Sequence, residues 1–360
     1  MAAALLRSPM HDRHLALGAR MAEFGGWEMP IQYSGVVEEH LAVREAVGVF
    51  DVSHLGNAKV SGPGAVAFLN GCLTNDLDRI GDWQAQYTLC CDDATGGVVD
   101  DLIVYRGVAD DLHLVPNAAN TTEVLRRLQA AAPPDIEIVN QHTDFAILAV
   151  QGPRSAEVLT DIGLKSDLDY MSFTRDGGVI VCRTGYTGEH GYELVVAASE
   201  AVALWDRIAE VLPSYGGRPC GLGARDTLRT EMGYPLHGQD LSLDITPVQA
   251  RCGWAVGWKK DAFWGRDVLT AEREAGARRL LWGLRAPDRA IPRPHMQVRV
   301  ADEVVGEVTS GTFSPSLKVG IGLALLDRAI GEGDTVNVDI RGRVAAMEVV
   351  KPPFVESHVR

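Results

Sequence analysis

The alternation of apolar and polar positions along this chain favours short strands interrupted by a few helices. Residues 58–61, 86–91, 98–106, 112–117 and 136–139 alternate as half-buried strands do. Between the last two, Asn120-Thr121-Thr122-Glu123 has the pattern of a capping box, opening a helix through residue 131, and Pro133-Pro134 follows it. Residues 145–150 form an apolar strand, and Gly152-Pro153 then predicts a helix over 154–159. Residues 179–183 and 192–196 flank a glycine-rich turn and read as a hairpin. Val202, Leu204, Trp205, Ile208 and Val211 recur at helical spacing within 199–212. A further helix is predicted over 223–233, and a charged helical connector over 271–279. After about residue 280 the pattern becomes all-β. Short strands at 297–300, 303–308, 319–325, 335–340 and 343–350 are separated by Gly, Pro and Asp turns, as in a small barrel or sandwich.

A chain of 360 residues is too long for one simple core, so two or three domains are expected. With 46% hydrophobic and 23% charged residues the composition is that of an ordinary globular protein. No apolar run approaches membrane-spanning length, and Met1-Ala2-Ala3-Ala4-Leu5-Leu6 is too short for a signal-peptide core. A cytoplasmic chain without a membrane partner is expected. The net charge of −14 argues against nucleic acid as a partner. That charge is uneven. Residues 249–360 carry a net +3 and residues 1–248 a net −17. A basic C-terminal third suits docking of an acidic partner, although variation between domains gives the same imbalance. The six cysteines form no Cys-x-x-Cys pair, which removes the usual basis for a zinc or iron–sulfur site and predicts reduced, partly buried thiols.

The stretch with most chemical content is Gly96-Gly97-Val98-Val99-Asp100-Asp101-Leu102-Ile103-Val104-Tyr105. Side chains alternate across a strand, so Asp100 and Asp101 are expected on opposite faces, one of them inward. Burying a carboxylate costs several kcal/mol or raises its pKa, which marks the pair as candidate machinery. There is no Gly-x-Gly-x-x-Gly after a strand, no P-loop and no His-Glu-x-x-His. Asp51-Val52-Ser53-His54 holds triad residue types at a spacing that one strand cannot converge. His54 is therefore expected to be a hydrogen-bonded structural histidine.

Four segments carry the further argument: Phe50-Asp51-Val52-Ser53-His54-Leu55-Gly56, the acidic strand, Thr184-Gly185-Tyr186-Thr187-Gly188-Glu189-His190-Gly191-Tyr192-Glu193-Leu194, and Cys220-Gly221-Leu222-Gly223-Ala224-Arg225-Asp226. In this order and spacing they resemble the aminomethyltransferases of the glycine cleavage system, the T-proteins. Phe24-Gly25-Gly26-Trp27, Ala149-Val150-Gln151-Gly152-Pro153 and Thr309-Ser310-Gly311-Thr312-Phe313-Ser314-Pro315 extend the resemblance over essentially the whole chain.

The resemblance implies an α+β, three-domain folate-binding fold with a C-terminal β-barrel. Two intertwined α/β domains would occupy residues 1–275, with 52–140 inserted, and the barrel 276–360. It implies transfer of an aminomethyl-derived one-carbon unit from the lipoyl arm of the H-protein to tetrahydrofolate, with release of ammonia. Asp101 would be the catalytic acid–base group. Glu193 would take the two parallel N–H donors of the pterin edge, against a plain salt bridge to Arg225. Arg225 would meet the folate carboxylates. Tyr105, Tyr186, Asn117 and Leu55 would line the same site, against core packing for the tyrosines and a turn role for Asn117. Leu55 replaces the methionine usual there, a near volume-conserving change. Val359 stands where some members carry a folate-contacting tyrosine. Two relatives remain as alternatives: a folate-dependent demethylase domain, which normally accompanies a flavin fingerprint, and a non-enzymatic folate-binding protein that assists iron–sulfur enzyme maturation. The latter carries a Lys-x-Cys-x-x-Gly-Gln-Glu-type motif, where this chain has Gly238-Gln239-Asp240 without the cysteine.

Overall fold

The computed structural model describes residues 4–340 and 342–360. Met1, Ala2 and Ala3, the start of the segment judged too short for a signal-peptide core, lie outside the described residues. Four sheets organise the described residues. A three-stranded sheet near the N-terminus places Trp27–Gln32 between Leu6–Arg7 and Arg20–Phe24. A six-stranded sheet runs Phe173–Asp176, Val179–Cys182, Gly191–Ala197, Phe145–Gln151, Gly48–Asp51, Arg218–Pro219. The chain between Gly48–Asp51 and Phe145–Gln151 builds a separate five-stranded sheet, in the order Gln84–Cys91, Val98–Arg106, Asp111–Val115, Ala58–Ser61, Glu137–Asn140. The C-terminal strands close into a six-stranded barrel.

The six-stranded sheet buries two faces. Val49, Leu148, Val150, Leu194 and Val196 pack against Trp205 and Ile208, both on the helix Ala201–Val211. Phe50, Ala149 and Val195 face the other way, toward Tyr105 of the five-stranded sheet and Leu228 of the helix Leu222–Met232. That second face supports the candidate site.

Four expectations need correction. The connector helix is Arg266–Ala275, because Gly265 at φ +82° and Gly276 at φ +79° bound it in backbone that glycine adopts freely. The barrel has a first strand, Arg279–Arg285, that is not among the expected strands; its charged ends mask the apolar middle. The helix Thr121–Ala131 forms, but its capping box does not: Asn120 makes no side-chain cap. Its amide donates instead to Asp100 and His237, and Glu123 pairs with Arg126 and Arg127. The cysteines are all free, as expected, but fully rather than partly buried. No described helix is long and apolar enough to cross a membrane.

Candidate functional site

The acidic strand enters the site through a β-bulge. Cys90 pairs with Asp100 and Cys91 with Val98, so Val99 is the extra residue. A bulge twists its strand and re-aims the side chains beside it. Cβ alternation survives: Leu102 and Val104 join one apolar cluster, Ile103 and Tyr105 another. The carboxylates nevertheless meet at one amide. Asn117 Nδ2 donates to Asp100 Oδ1 at 2.9 Å and to Asp101 Oδ1 at 3.0 Å. The expectation of opposite faces holds, since Asp100 pairs with Cys90 and Asp101 with Leu89 in different apolar clusters, and Asn117 spans the strand end to reach both carboxylates. Asp100 is fully buried and also accepts from Asn117 N and Asn120 Nδ2. Asp101 is partly exposed and accepts from the Tyr87 hydroxyl at 3.0 Å. Burial pushes both carboxyl groups upward, and the charge of Asp101 adds to the rise at Asp100.

Gly97 lets the segment around Leu243 close against the start of the acidic strand. A Cβ there would sit 1.9 Å from the Leu243 carbonyl oxygen. Behind the pair, His237 Nε2 lies 3.0 Å from the Val98 carbonyl, and its Nδ1 accepts from Asn120 Nδ2. This pattern assigns the ring proton to Nε2. Asn120, Tyr87 and His237 were not singled out in the sequence. The only signal was the spacing of Asn120 in a supposed cap.

A second group forms around Glu193, which is 9% exposed. Its Oε2 accepts from Thr184 Oγ1 at 2.6 Å, with the Tyr105 hydroxyl 3.5 Å away. The competing salt bridge to Arg225 is not formed among the described residues. Instead the Arg225 guanidinium lies 4.7 Å over the Tyr186 ring, and its Nη1 is buried without a partner among the described residues. Burial lowers the Arg225 pKa, while Glu193 and Tyr186 partly offset this. Tyr186 donates to the Pro235 carbonyl and stacks on Tyr234. Burial raises its phenol, and the nearby Asp101 charge adds to that. Arg225 and Tyr186 thus bridge Glu193 and the acidic pair electrostatically. Leu55 packs beside Tyr105 and Val115 in the apolar cluster below.

His54 departs from expectation. It is buried, its Nδ1 has no partner among the described residues, and it meets Phe24 edge-on at 5.2 Å. Burial, then the Arg225 charge, pushes its pKa down to about 3. Asp51 does not orient it, because Asp51 is engaged by Ser8, by Ser53 N and by His14 Nε2 at 2.7 Å. The C-terminal segment returns to this region: Arg183 Nη2 donates to the Val359 carbonyl at 2.8 Å, and His358 N to the Gly188 carbonyl at 2.7 Å. A cavity of about 290 Å³ behind Tyr105, walled by His113, Phe145 and Phe173, shares only that tyrosine with the predicted site residues.

Chemically the arrangement offers an acid–base pair, an unfilled carboxylate edge at Glu193, an unspent guanidinium donor and aromatic walls. These suit a planar heterocycle with adjacent N–H donors and an anionic tail.

Comparison with known proteins agrees. Residues 10–260 match the family described as GCVT N-terminal domain, and residues 279–356 the glycine cleavage T-protein C-terminal barrel domain. The chain is 64% identical to an aminomethyltransferase of Parafrankia sp. (strain EAN1pec), over 99% of each chain. It is 58% identical to one of Mycobacterium tuberculosis (strain H37Rv), over 99% of this chain and 98% of that one. Among solved structures, the glycine cleavage system aminomethyltransferase T from Bartonella henselae superposes with a TM-score of 0.93 at 33% identity, covering 98% of this chain and 99% of that one.

Proposed function

Since this chain belongs to the glycine cleavage T-protein family of aminomethyltransferases, we propose how its own residues perform that family's reaction. The chain transfers an aminomethyl-derived one-carbon unit to tetrahydrofolate, releases ammonia and forms methylene-tetrahydrofolate. Tetrahydrofolate supplies the reduced nitrogens on which the unit is received. Glu193 accepts the paired donors of the pterin edge through Oε1, which makes no hydrogen bond among the described residues, and the remaining lone pair of Oε2. The buried, unpartnered Arg225 Nη1 addresses a folate carboxylate. Tyr105, Tyr186 and Leu55 wall the ring. Asn117 spends its N–H groups on the acidic pair, which leaves its Oδ1 for a pterin donor. Asp101, the more exposed of the pair, takes the proton from the attacking nitrogen within the reach that general base catalysis requires.

The macromolecular partner in this reading is the lipoylated H-protein, docked on the basic C-terminal third. Six free buried thiols suit a reducing, cytoplasmic setting. Residues 1–275 act as the folate-binding region, with 52–140 as its insertion, and 276–360 as the barrel. The maturation-factor alternative is not favoured: Asp240, in its would-be motif, is fully buried and committed to Arg229, Thr309 and Ser310.

The observation that carries the site reading is the acidic pair closed on one amide, beside a carboxylate and a guanidinium with unused capacity. Asp101→Asn is its test. The variant should fold, bind tetrahydrofolate and lose most turnover with an aminomethyl-loaded H-protein. Normal turnover would remove Asp101 from the mechanism.

A further inference from the structure

The two carboxylates of the acidic pair are not held alike. Among the described residues, every hydrogen-bond partner of the Asp100 carboxylate is an N–H donor: Asn117 N at 2.9 Å, Asn117 Nδ2 at 2.9 Å and Asn120 Nδ2 at 2.7 Å. None of these can accept. A protonated Asp100 would have no partner for its own O–H and would press it against three others. Asp101 is different. Its Oδ2 meets the Tyr87 hydroxyl, which can reverse from donor to acceptor. Its Oδ1 shares Asn117 Nδ2 with Asp100 and with the Asp101 carbonyl, so two protons serve three oxygens. No lysine or arginine forms a salt bridge with either carboxylate among the described residues.

We propose that Asp100 is the fixed negative charge of the pair, a positioning residue that does not touch the folate and that directs the exchangeable proton to Asp101. Asn117 and Asn120 are the clamp that holds that charge in place, and His237 Nδ1 keeps the Asn120 amide aimed. The inference rests on the reading of Asp101 as the catalytic base. It adds the source of that base's strength: a second charge, buried beside it, that cannot itself take up the proton favourably. Burial raises both groups and the charge of Asp101 raises Asp100 further; the three N–H donors oppose that rise, and it is their geometry that assigns the charge to Asp100. The other titratable groups facing the pair are Tyr87 and Cys90 from the neighbouring strand, Tyr186 from the Thr184–Gly191 loop, and His237 and Cys252 from the segment after the helix Leu222–Met232.

The size of the effect follows from the geometry. Both Oδ1 atoms lie within hydrogen-bonding distance of one nitrogen, so they are at most about 6 Å apart. At an effective permittivity near 20, repulsion over that distance corresponds to about two pH units. Removing the Asp100 charge makes Asp101 a weaker base that gives up its proton at lower pH.

The experiment is the pH profile of kcat for transfer from the aminomethyl-loaded H-protein to tetrahydrofolate, with thermal melting of each variant. In the unaltered chain, kcat should fall on the acid side as Asp101 is protonated. Asp100→Asn should move that midpoint down by about two pH units and lower the plateau rate. Asn120→Ala removes one clamp donor and should move it in the same direction by less. It decides the question alone should Asp100→Asn not fold. A purely structural role would reduce kcat with an unmoved midpoint, and that result in either folded variant overturns the inference. A midpoint that survives in Asp101→Asn overturns instead the reading of Asp101 on which the inference rests.

Discussion

Arg229→Met perturbs the joint between the helix that carries Arg225 and the barrel. Arg229 is 3% exposed, and its guanidinium reaches four partners: Asp226 at 2.7 Å, Asp240 at 2.8 Å, Ser310 Oγ at 2.9 Å and the Tyr234 carbonyl at 3.2 Å. Asp240 is fully buried, so removing the cation leaves a carboxylate with no countercharge. Breaking a buried pair from one side costs about 3–5 kcal/mol. Asp240 keeps three neutral donors, Thr309 Oγ1, Ser310 Oγ and Leu236 N. These hold the loss near the lower end, at about 3 kcal/mol. Methionine fills much of the volume with an apolar stem, so cavity formation adds little. Urea unfolding followed by circular dichroism and by tryptophan fluorescence measures the change. Adding Asp240→Asn to Arg229→Met should recover at least about 1 kcal/mol, because the uncompensated charge goes with it. A loss below about 1 kcal/mol in the single variant, or no recovery in the double, would refute the electrostatic account of this joint.

Three further outcomes are expected. Glu231 is fully buried against His40, Arg44, Ser314 and Ser316, and despite the opposing cost of burial these partners lower its pKa from 4.5 to about 2. The unfolded chain then binds more protons in that interval, so roughly 3 kcal/mol of stability is present above pH 4.5 and fades as pH falls toward 2; Glu231→Gln should flatten that part of the unfolding-versus-pH curve, and an unchanged curve would count against it. Gly97→Ala places a methyl 1.9 Å from the Leu243 carbonyl and should displace the acidic strand; turnover should drop at least tenfold, with a lower melting temperature, and a neutral result would show that the backbone yields there. Arg225→Lys keeps the charge but loses the fork and the stacking on Tyr186, so tetrahydrofolate should bind roughly tenfold more weakly by calorimetry; equal affinity would move the folate carboxylate elsewhere.

The elements that the sequence made legible are those whose burial is set by their own periodicity. The helix Ala201–Val211 and the strands flanking the 183–190 turn present one apolar face to one layer, and local pattern is enough. The capping box at Asn120 failed for the opposite reason. A tertiary acceptor 20 positions away, Asp100, competes for the same side chain and takes it. The bulge at Val99 is equally invisible to alternation, because the extra residue shows only in the register against the strand Gln84–Cys91. In the site, Asp101, Glu193 and Arg225 sit in local motifs and could be singled out. Tyr87 and His237 could not: each owes its place to an approach across the fold, a hydroxyl on the neighbouring strand and an imidazole 139 residues from the carbonyl it meets. His54 Nδ1 lacks the partner expected for a structural histidine because Asp51, its only carboxylate neighbour in sequence, is drawn off to His14.

Calorimetric titration of the folded chain with tetrahydrofolate, alongside Glu193→Gln, is the most direct test of the claim that these carboxylates and this guanidinium grip a reduced pterin. A single saturable site in the unaltered chain, weakened at least tenfold in the variant, is the predicted result. Absence of saturable heat in the unaltered chain, or equal affinity in both, would contradict it.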